Sequence, residues 1–198
     1  MGEPDPIRNE RRARTRDASR AAILDSARRV AARDGARNLS LRGVAAEAGY
    51  APAALYGYFA SKDELLLALA AEDLSALSRA MRDAVTADGG LTKLVAASAA
   101  ALTLLRDNET FAAAQGALPF EAGGSEAERL FNGRMIAVLK VLADATGQPA
   151  NSRDAQCDVV LVAAALTGLA MLARSGRLGA LGFTPEEILA RLDGRFTS

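Results

Sequence analysis

Residues 39–66 read LSLRGVAAEAGYAPAALYGYFASKDELL. Ser40 stands where an N-cap belongs, ahead of Leu41, Val44, Ala45 and Ala48 at helical spacing. Gly49 stops this short helix. Pro52 suits the first position of another, where its missing N–H is not needed. That helix is expected over residues 52–58, with Leu55 and Phe59 pointing back into a small core. Ser61-Lys62-Asp63-Glu64 is a capping box that starts a long helix at once. Two short helices joined by a tight turn, with a third set firmly behind them, form a helix-turn-helix head.

Upstream, Ile23, Ala27, Val30 and Ala31 form one apolar stripe, which predicts a helix over residues 17–34 closed by Gly35. Residues 8–16, RNERRARTR, are too polar to pack and are read as a flexible basic arm covering residues 1–16. Downstream, the helix launched at Ser61 is expected to reach about Thr86, before Gly89-Gly90. Further helices are expected over residues 91–105, around Phe111, from the box Ser125–Glu128 to Ala145, from Ser152 to Arg174, and from the box Thr184–Glu187 to Leu192. A Gly/Pro-rich loop, residues 116–124, interrupts them. The fold class is therefore all-α, in two lobes joined through the fourth helix.

Composition narrows the function. The chain has 198 residues, half of them apolar, enough for a sizeable core. It has no His, which removes the usual general base and the His-containing metal and nucleophile sites. No paired carboxylates or phosphate loop take their place, so no enzyme and no cofactor are expected. The single Cys157 excludes an intrachain disulfide and fits a reducing, cytoplasmic setting. The longest uncharged runs, residues 159–173 and 94–105, fall short of the roughly 20 residues of a membrane helix. The net charge is zero, yet residues 8–42 hold eleven Arg against four acids. Such an N-terminal basic excess is what a polyanion partner requires.

The ordered set Ile23-Leu24, Ala27, Gly35, Leu39-Ser40-Leu41-Arg42, Val44-Ala45, Ala48-Gly49, Leu55-Tyr56, Tyr58-Phe59, Ser61-Lys62 and Leu65-Leu66 resembles the TetR-type transcriptional regulators, over residues 17–66. The resemblance implies an all-α homodimer whose head, residues 17–66, binds a palindromic operator. Residues 67–198 would then pair two copies and bind a small molecule that releases DNA, making a repressor the leading expectation. Ala165–Ala170 with Gly176-Arg177-Leu178 looks like the C-terminal subgroup of that family named for a Trp, a His and a Gly. Here Thr167 stands in place of the His, the chain has no Trp, and Gly168 alone is present.

Base reading falls to residues 52–58, the second helix of the pair. Pro52, Ala53 and Ala54 offer apolar contact to thymine methyl groups, and Tyr50 and Tyr56 offer hydroxyls. Arg42 is the candidate for a guanine edge, because its fork can bond O6 and N7 together. Lys62 at a helix start, Ser40 and Tyr56 are candidates for phosphate, and Arg14 and Arg16 for the neighbouring minor groove.

In the second lobe, Leu102, Leu105, Phe111, Phe120, Phe131, Met135 and Leu166 suggest an apolar cavity for a small hydrophobic effector. Thr103, Arg106, Gln115 and Thr167 are its candidate polar anchors. Val159, Val162, Ala163 and Ala170, with Ile188 and Leu192 of the last helix, are the candidate dimer interface, where small residues permit close helix approach.

Overall fold

The computed structural model describes residues 6–87, 90–108, 110, 113, 125–149 and 152–196, and every regular element among them is helical. In chain order these are α1 (Pro6–Asp34), a 3-10 turn (Ala36–Asn38), α2 (Leu41–Ala48), α3 (Pro52–Leu55) and α4 (Lys62–Thr86). There follow α5 (Lys93–Asp107), α6 (Glu126–Thr146), α7 (Arg153–Arg174), α8 (Arg177–Ala180) and α9 (Pro185–Phe196). The expected helix around Phe111, the loop 116–124 and Gly89 lie outside the described residues.

The helix starts follow their caps. Ser40, Ser61, Ser125 and Ser152 each accept a hydrogen bond from the backbone N–H three residues on, at 3.1 to 3.4 Å. Glu64 completes its box by accepting from Ala60 N at 2.6 Å, one residue earlier than a box at Ser61 implies. At α9 the box is reciprocal: Glu187 Oε2 accepts from Thr184 N at 2.7 Å, and Thr184 Oγ1 accepts from Glu187 N at 3.3 Å. Thr184 Oγ1 also donates to Glu187 Oε2 at 2.9 Å, and the backbone and side-chain donations from Thr184 hold the Glu187 carboxyl below the ordinary Glu range.

Two boundaries differ from expectation. The basic run 6–16 is no flexible arm: it forms the first turns of α1, continuous with residues 17–34. Arg and Ala are good helix formers, Glu10 pairs with Arg14 one turn on at 2.6 Å, and the Thr15 hydroxyl donates to Arg11 O. α3 is shorter than expected and ends at Leu55, its last turn tightening through the 3.1 Å bond from Gly57 N to Ala54 O. The short α8, entered through left-handed Gly176, is an addition.

α4 organises the packing. Residues 65–71 are buried without a break, because α1 closes on α4 from the head side while α5 and α6 cover it from the other. Its later buried positions, Leu74, Leu77 and Met81, recur on one face toward that bundle. α7 lies across α5 and α6, and α9 returns to α5 and α7. Thr92 Oγ1, which caps α5, also donates to Asp193 Oδ1 of α9 at 2.7 Å.

α7 is long and apolar enough to cross a membrane by length and composition, with 33% of its most apolar window buried. Uncharged run length alone missed this, since its charges sit near the two ends. In this fold its inward face, Val159, Val162, Leu166, Leu169 and Ala170, packs in the bundle core.

Candidate nucleic-acid interface

The head is built on a closed apolar centre. Ile23, Leu24, Ala27, Leu39, Val44, Ala45, Leu55 and Phe59 are all within 1% of full burial. Between α2 and α3, Gly49 takes the left-handed conformation at φ 73°, and Tyr50 N donates to Ala45 O at 2.9 Å. This bond satisfies a terminal carbonyl of α2 and turns the chain sharply into Pro52. Tyr50 and Tyr58 meet edge to face across the turn, ring centroids 6.4 Å apart.

This centre fixes what faces outward. Pro52, Ala53, Ala54 and Tyr56 are exposed, Tyr56 at 62%, and Tyr50 is half-buried. Arg42 is exposed on the first turn of α2 and has no ion pair or hydrogen bond among the described residues. Methyl groups, one phenol and one exposed guanidinium are the chemistry that can contact thymine methyls and a guanine edge.

The other predicted contacts are engaged within the chain. Arg16 donates to Gly57 O at 2.9 Å and lies over the Tyr58 ring at 5.5 Å, bracing the turn that follows α3. Arg14 is paired with Glu10. Ser40 Oγ is taken by Gly43 N, and Lys62 Nζ donates to Arg37 O at 2.6 Å, tying the start of α4 to the turn before α2.

Nor is the basic excess one patch. Arg29 and Arg33 of α1 both reach Glu47 of α2, at 3.0 and 3.1 Å, and Arg33 also grips Asp34. Hydrogen bonds from Arg29 and then Arg33 hold the Glu47 carboxyl below its ordinary range, and that from Arg33 does the same for Asp34. Arg33 is pushed up in turn, chiefly by Asp34 and then by Glu47. Arg28 bridges to α4, at 2.7 Å from Glu72 and 3.3 Å from Asp73. Asp73 also accepts from the Thr110 hydroxyl, which lies 2.6 Å from Asn108 Oδ1. Arg8, Arg11, Arg12, Arg37 and Arg42 are exposed and unpaired among the described residues, and Arg16 and Lys62, bonded to carbonyls, keep their charge beside them. Arg37 was not singled out from sequence, because a cation in a short turn gives no periodic signal. The pairing of Arg29 and Arg33 with Glu47 was equally invisible until α1 and α2 were packed.

The second lobe only partly follows expectation. Leu105, Met135, Leu166 and Thr167 do line one cavity, with Leu74, Leu77, Met81 and Leu142, but its volume is about 40 Å³. Leu102 and Phe131 are buried in the core. Thr103 and Arg106 are exposed and face away: the Thr103 hydroxyl donates to Ala99 O, and Arg106 pairs with Asp107 at 3.2 Å. They are therefore not pocket anchors. Phe111, Gln115 and Phe120 lie outside the described residues.

The proposed pairing residues Val159, Val162 and Ala170 point into the chain's own core, and Ala163, Ile188 and Leu192 are half-buried. Periodicity identified an apolar face of α7 but not that its own bundle covers it. The face left uncovered carries Val160, Leu161 and Met171, each 57 to 60% exposed, with Leu181 and Phe183 beyond α8.

Residues 23–69 match the family described as "Bacterial regulatory proteins, tetR family". Over 62 residues the chain is 45% identical to the HTH-type nicotine-responsive transcriptional repressor HdnoR of Paenarthrobacter nicotinovorans. That match covers 31% of this chain and spans 32% of the relative's length. Over the whole chain, the structure of a protein with unknown function from Rhodococcus sp. RHA1 is similar at 25% identity and TM-score 0.68, covering 90% of this chain and 93% of that one. The transcriptional regulator FadR from Bacillus subtilis, in complex with stearoyl-CoA, shares the fold at 17% identity and TM-score 0.60, covering 90% and 97%.

Proposed function

Since the chain belongs to the TetR family, by the sequence of residues 23–69 and the all-helical fold of the whole, we propose that it is a homodimeric transcriptional regulator that binds a palindromic operator. One observation carries this: the packed α2–turn–α3 unit leaves Arg42, Pro52, Ala53, Ala54 and Tyr56 outward, with the guanidinium of Arg42 exposed and unpaired among the described residues. α3 enters the major groove and Arg42 reads a guanine. Tyr50 and Ser40 sit at the edge of that contact. Arg14, Arg16 and Lys62 place the head by shaping it rather than as free cations, and α1 presents its first arginines to phosphate as a helix. Residues 17–66 are the DNA-binding domain. Residues 67–198 pair two copies through the uncovered face of α7 with α9, in the isologous manner of a two-fold dimer.

Repression relieved by a small lipophilic effector is the functional reading we favour, in keeping with the name of HdnoR and the acyl-CoA in the FadR complex. A constitutive regulator of the same fold is the second reading. The small bundle cavity favours it, since about 40 Å³ is far below the roughly 300 Å³ at which ligand pockets begin.

Titration of the chain with duplexes from upstream of its own gene, against random duplex, tests the DNA reading. A specific site should bind about a thousandfold tighter. Arg42→Ala should relax preference at one position per half-site, whereas Arg8→Ala, Arg11→Ala and Arg12→Ala together, which spare the Arg16 brace, should weaken binding to every sequence and flatten the salt dependence. Equal affinity for all duplexes would refute sequence-specific regulation. Leu161→Asp, on the uncovered face of α7, should yield monomers by sedimentation.

A further inference from the structure

A second cavity, of about 440 Å³, lies between the C-terminal end of α4, the start of α5 and the second half of α6, with the core residues Val141 and Ala145 in its lining. Val85, Ala137 and Val141 lie along it and are half-buried or buried. Its charged residues are Arg82 of α4, Lys93 of α5 and Lys140 of α6, against the single acid Asp144. All three cations are exposed, and none has a hydrogen bond or ion pair among the described residues. We propose that this groove is a binding site for a single-chain amphiphile with an anionic head, such as a fatty carboxylate.

The charge argument selects the head. Three cations from three different helices surround one trough without a matching set of acids, so a negative group there gains from all of them, while a cationic head is repelled. The apolar residues select the tail. Small and branched aliphatic side chains, with no aromatic ring among them to stack on, line a trough in which an alkyl chain removes apolar surface from water. The volume falls within the usual range for small-molecule sites, roughly 300 to 1,000 Å³. Arg82, Val85 and Thr86 belong to the same helix that begins under the head at Lys62. A ligand here therefore bears on the far end of the element that carries the head. As an effector site the groove rests on the regulatory reading above; as a binding site it stands without it.

Calorimetric titration of the full chain with monomeric decanoate tests the site, with decyltrimethylammonium and acetate as comparisons. Saturable binding of one decanoate per chain is expected, with the cation and acetate each at least about tenfold weaker. The triple variant Arg82→Gln, Lys93→Gln, Lys140→Gln should lose at least about tenfold in decanoate affinity. Ala137→Trp, which fills the trough from a half-buried position, should abolish binding; thermal unfolding of both unliganded variants checks that they are folded. No saturable heat with decanoate, equal binding of the cation, or unchanged affinity in both variants overturns the proposal. So does co-sedimentation with anionic phospholipid vesicles that the triple variant loses while decanoate binding is absent, for that assigns the cations to a membrane surface. Operator affinity, measured in parallel, separates the two readings: intact DNA binding without decanoate binding removes the groove alone.

Discussion

The contact between head and bundle that is most open to measurement is Arg28 with Asp73. At 3.3 Å, two opposite charges attract by roughly 5 kcal/mol at an effective dielectric of 20 and by about 1.3 kcal/mol in bulk water. The Arg28 side chain is 38% exposed and Asp73 15%, so solvent screens the pair toward the lower figure, about 1 kcal/mol. Burial works against the charge on Arg28, but the hydrogen bonds it donates to Glu72 and Asp73, with the charges of those carboxylates, outweigh it and leave its pKa raised. Asp73→Ala also removes the acceptor of the Thr110 hydroxyl, which keeps Asn108, adding about 1 kcal/mol for one net hydrogen bond. Asp73→Ala should therefore destabilise by about 2 kcal/mol and Arg28→Ala by about 1 kcal/mol, with the double variant falling short of their sum by about 1 kcal/mol. Urea unfolding of the four proteins measures this, and the coupling should shrink in about 1 M salt. If the double variant is additive within about 0.3 kcal/mol, the pair does not join α1 to α4 energetically. The link from bundle to head would then rest on the 2.7 Å bridge from Arg28 to Glu72 and on the apolar contacts of residues 65–71 instead.

Three further outcomes follow from single groups. Ser98 is fully buried, and its hydroxyl has no partner among the described residues, so Ser98→Ala should stabilise by about 1 kcal/mol and raise the melting temperature by about 2 to 4 °C. Gly49 sits at φ 73° with open space around it, so Gly49→Ala should cost about 1 kcal/mol from backbone strain alone and weaken operator binding by loosening the α2–α3 turn. The folded Glu187 carboxyl lies below its ordinary value, so its stabilising effect is present above the unfolded pKa and is lost as pH falls through the folded one. The gap in melting temperature between the wild type and Glu187→Gln should therefore be constant near neutral pH and close as the solution is acidified below about pH 4.3, the ordinary Glu value.

How much of this was legible in the chain depended on the range of the interaction. Caps and stops act over three or four residues, so Ser40, Ser61, Ser125, Ser152 and Thr184 placed their helix starts correctly. The apolar stripe Ile23, Ala27, Val30 and Ala31 likewise proved to be the buried face of α1. What the chain did not show depended on neighbours far away in sequence. Lys62 was read as a phosphate ligand because helix starts attract anions, and only the fold reveals that Arg37, 25 residues earlier, presents a carbonyl to which it donates. Val162 was read as an interface residue because α7 is apolar, and nothing in its own helix says that the bundle closes over that side and leaves Leu161 bare.

The same distinction bears on specificity. The candidate recognition surface has few donors: three apolar side chains, the Tyr56 phenol and Arg42. In the folded head these methyl groups stand on a turn braced by Arg16, by the pairing of Tyr50 with Tyr58 and by the double grip of Arg29 and Arg33 on Glu47. A side chain reads sequence only as well as its backbone is held, and methyl contacts lose their discrimination with small displacements because dispersion falls off steeply with distance. On the proposed reading, arginines spent inside the head do not subtract from DNA recognition. They fix the positions of Pro52, Ala53 and Ala54, so that the contacts proposed for these methyl groups and for the fork of Arg42 would be geometrically defined.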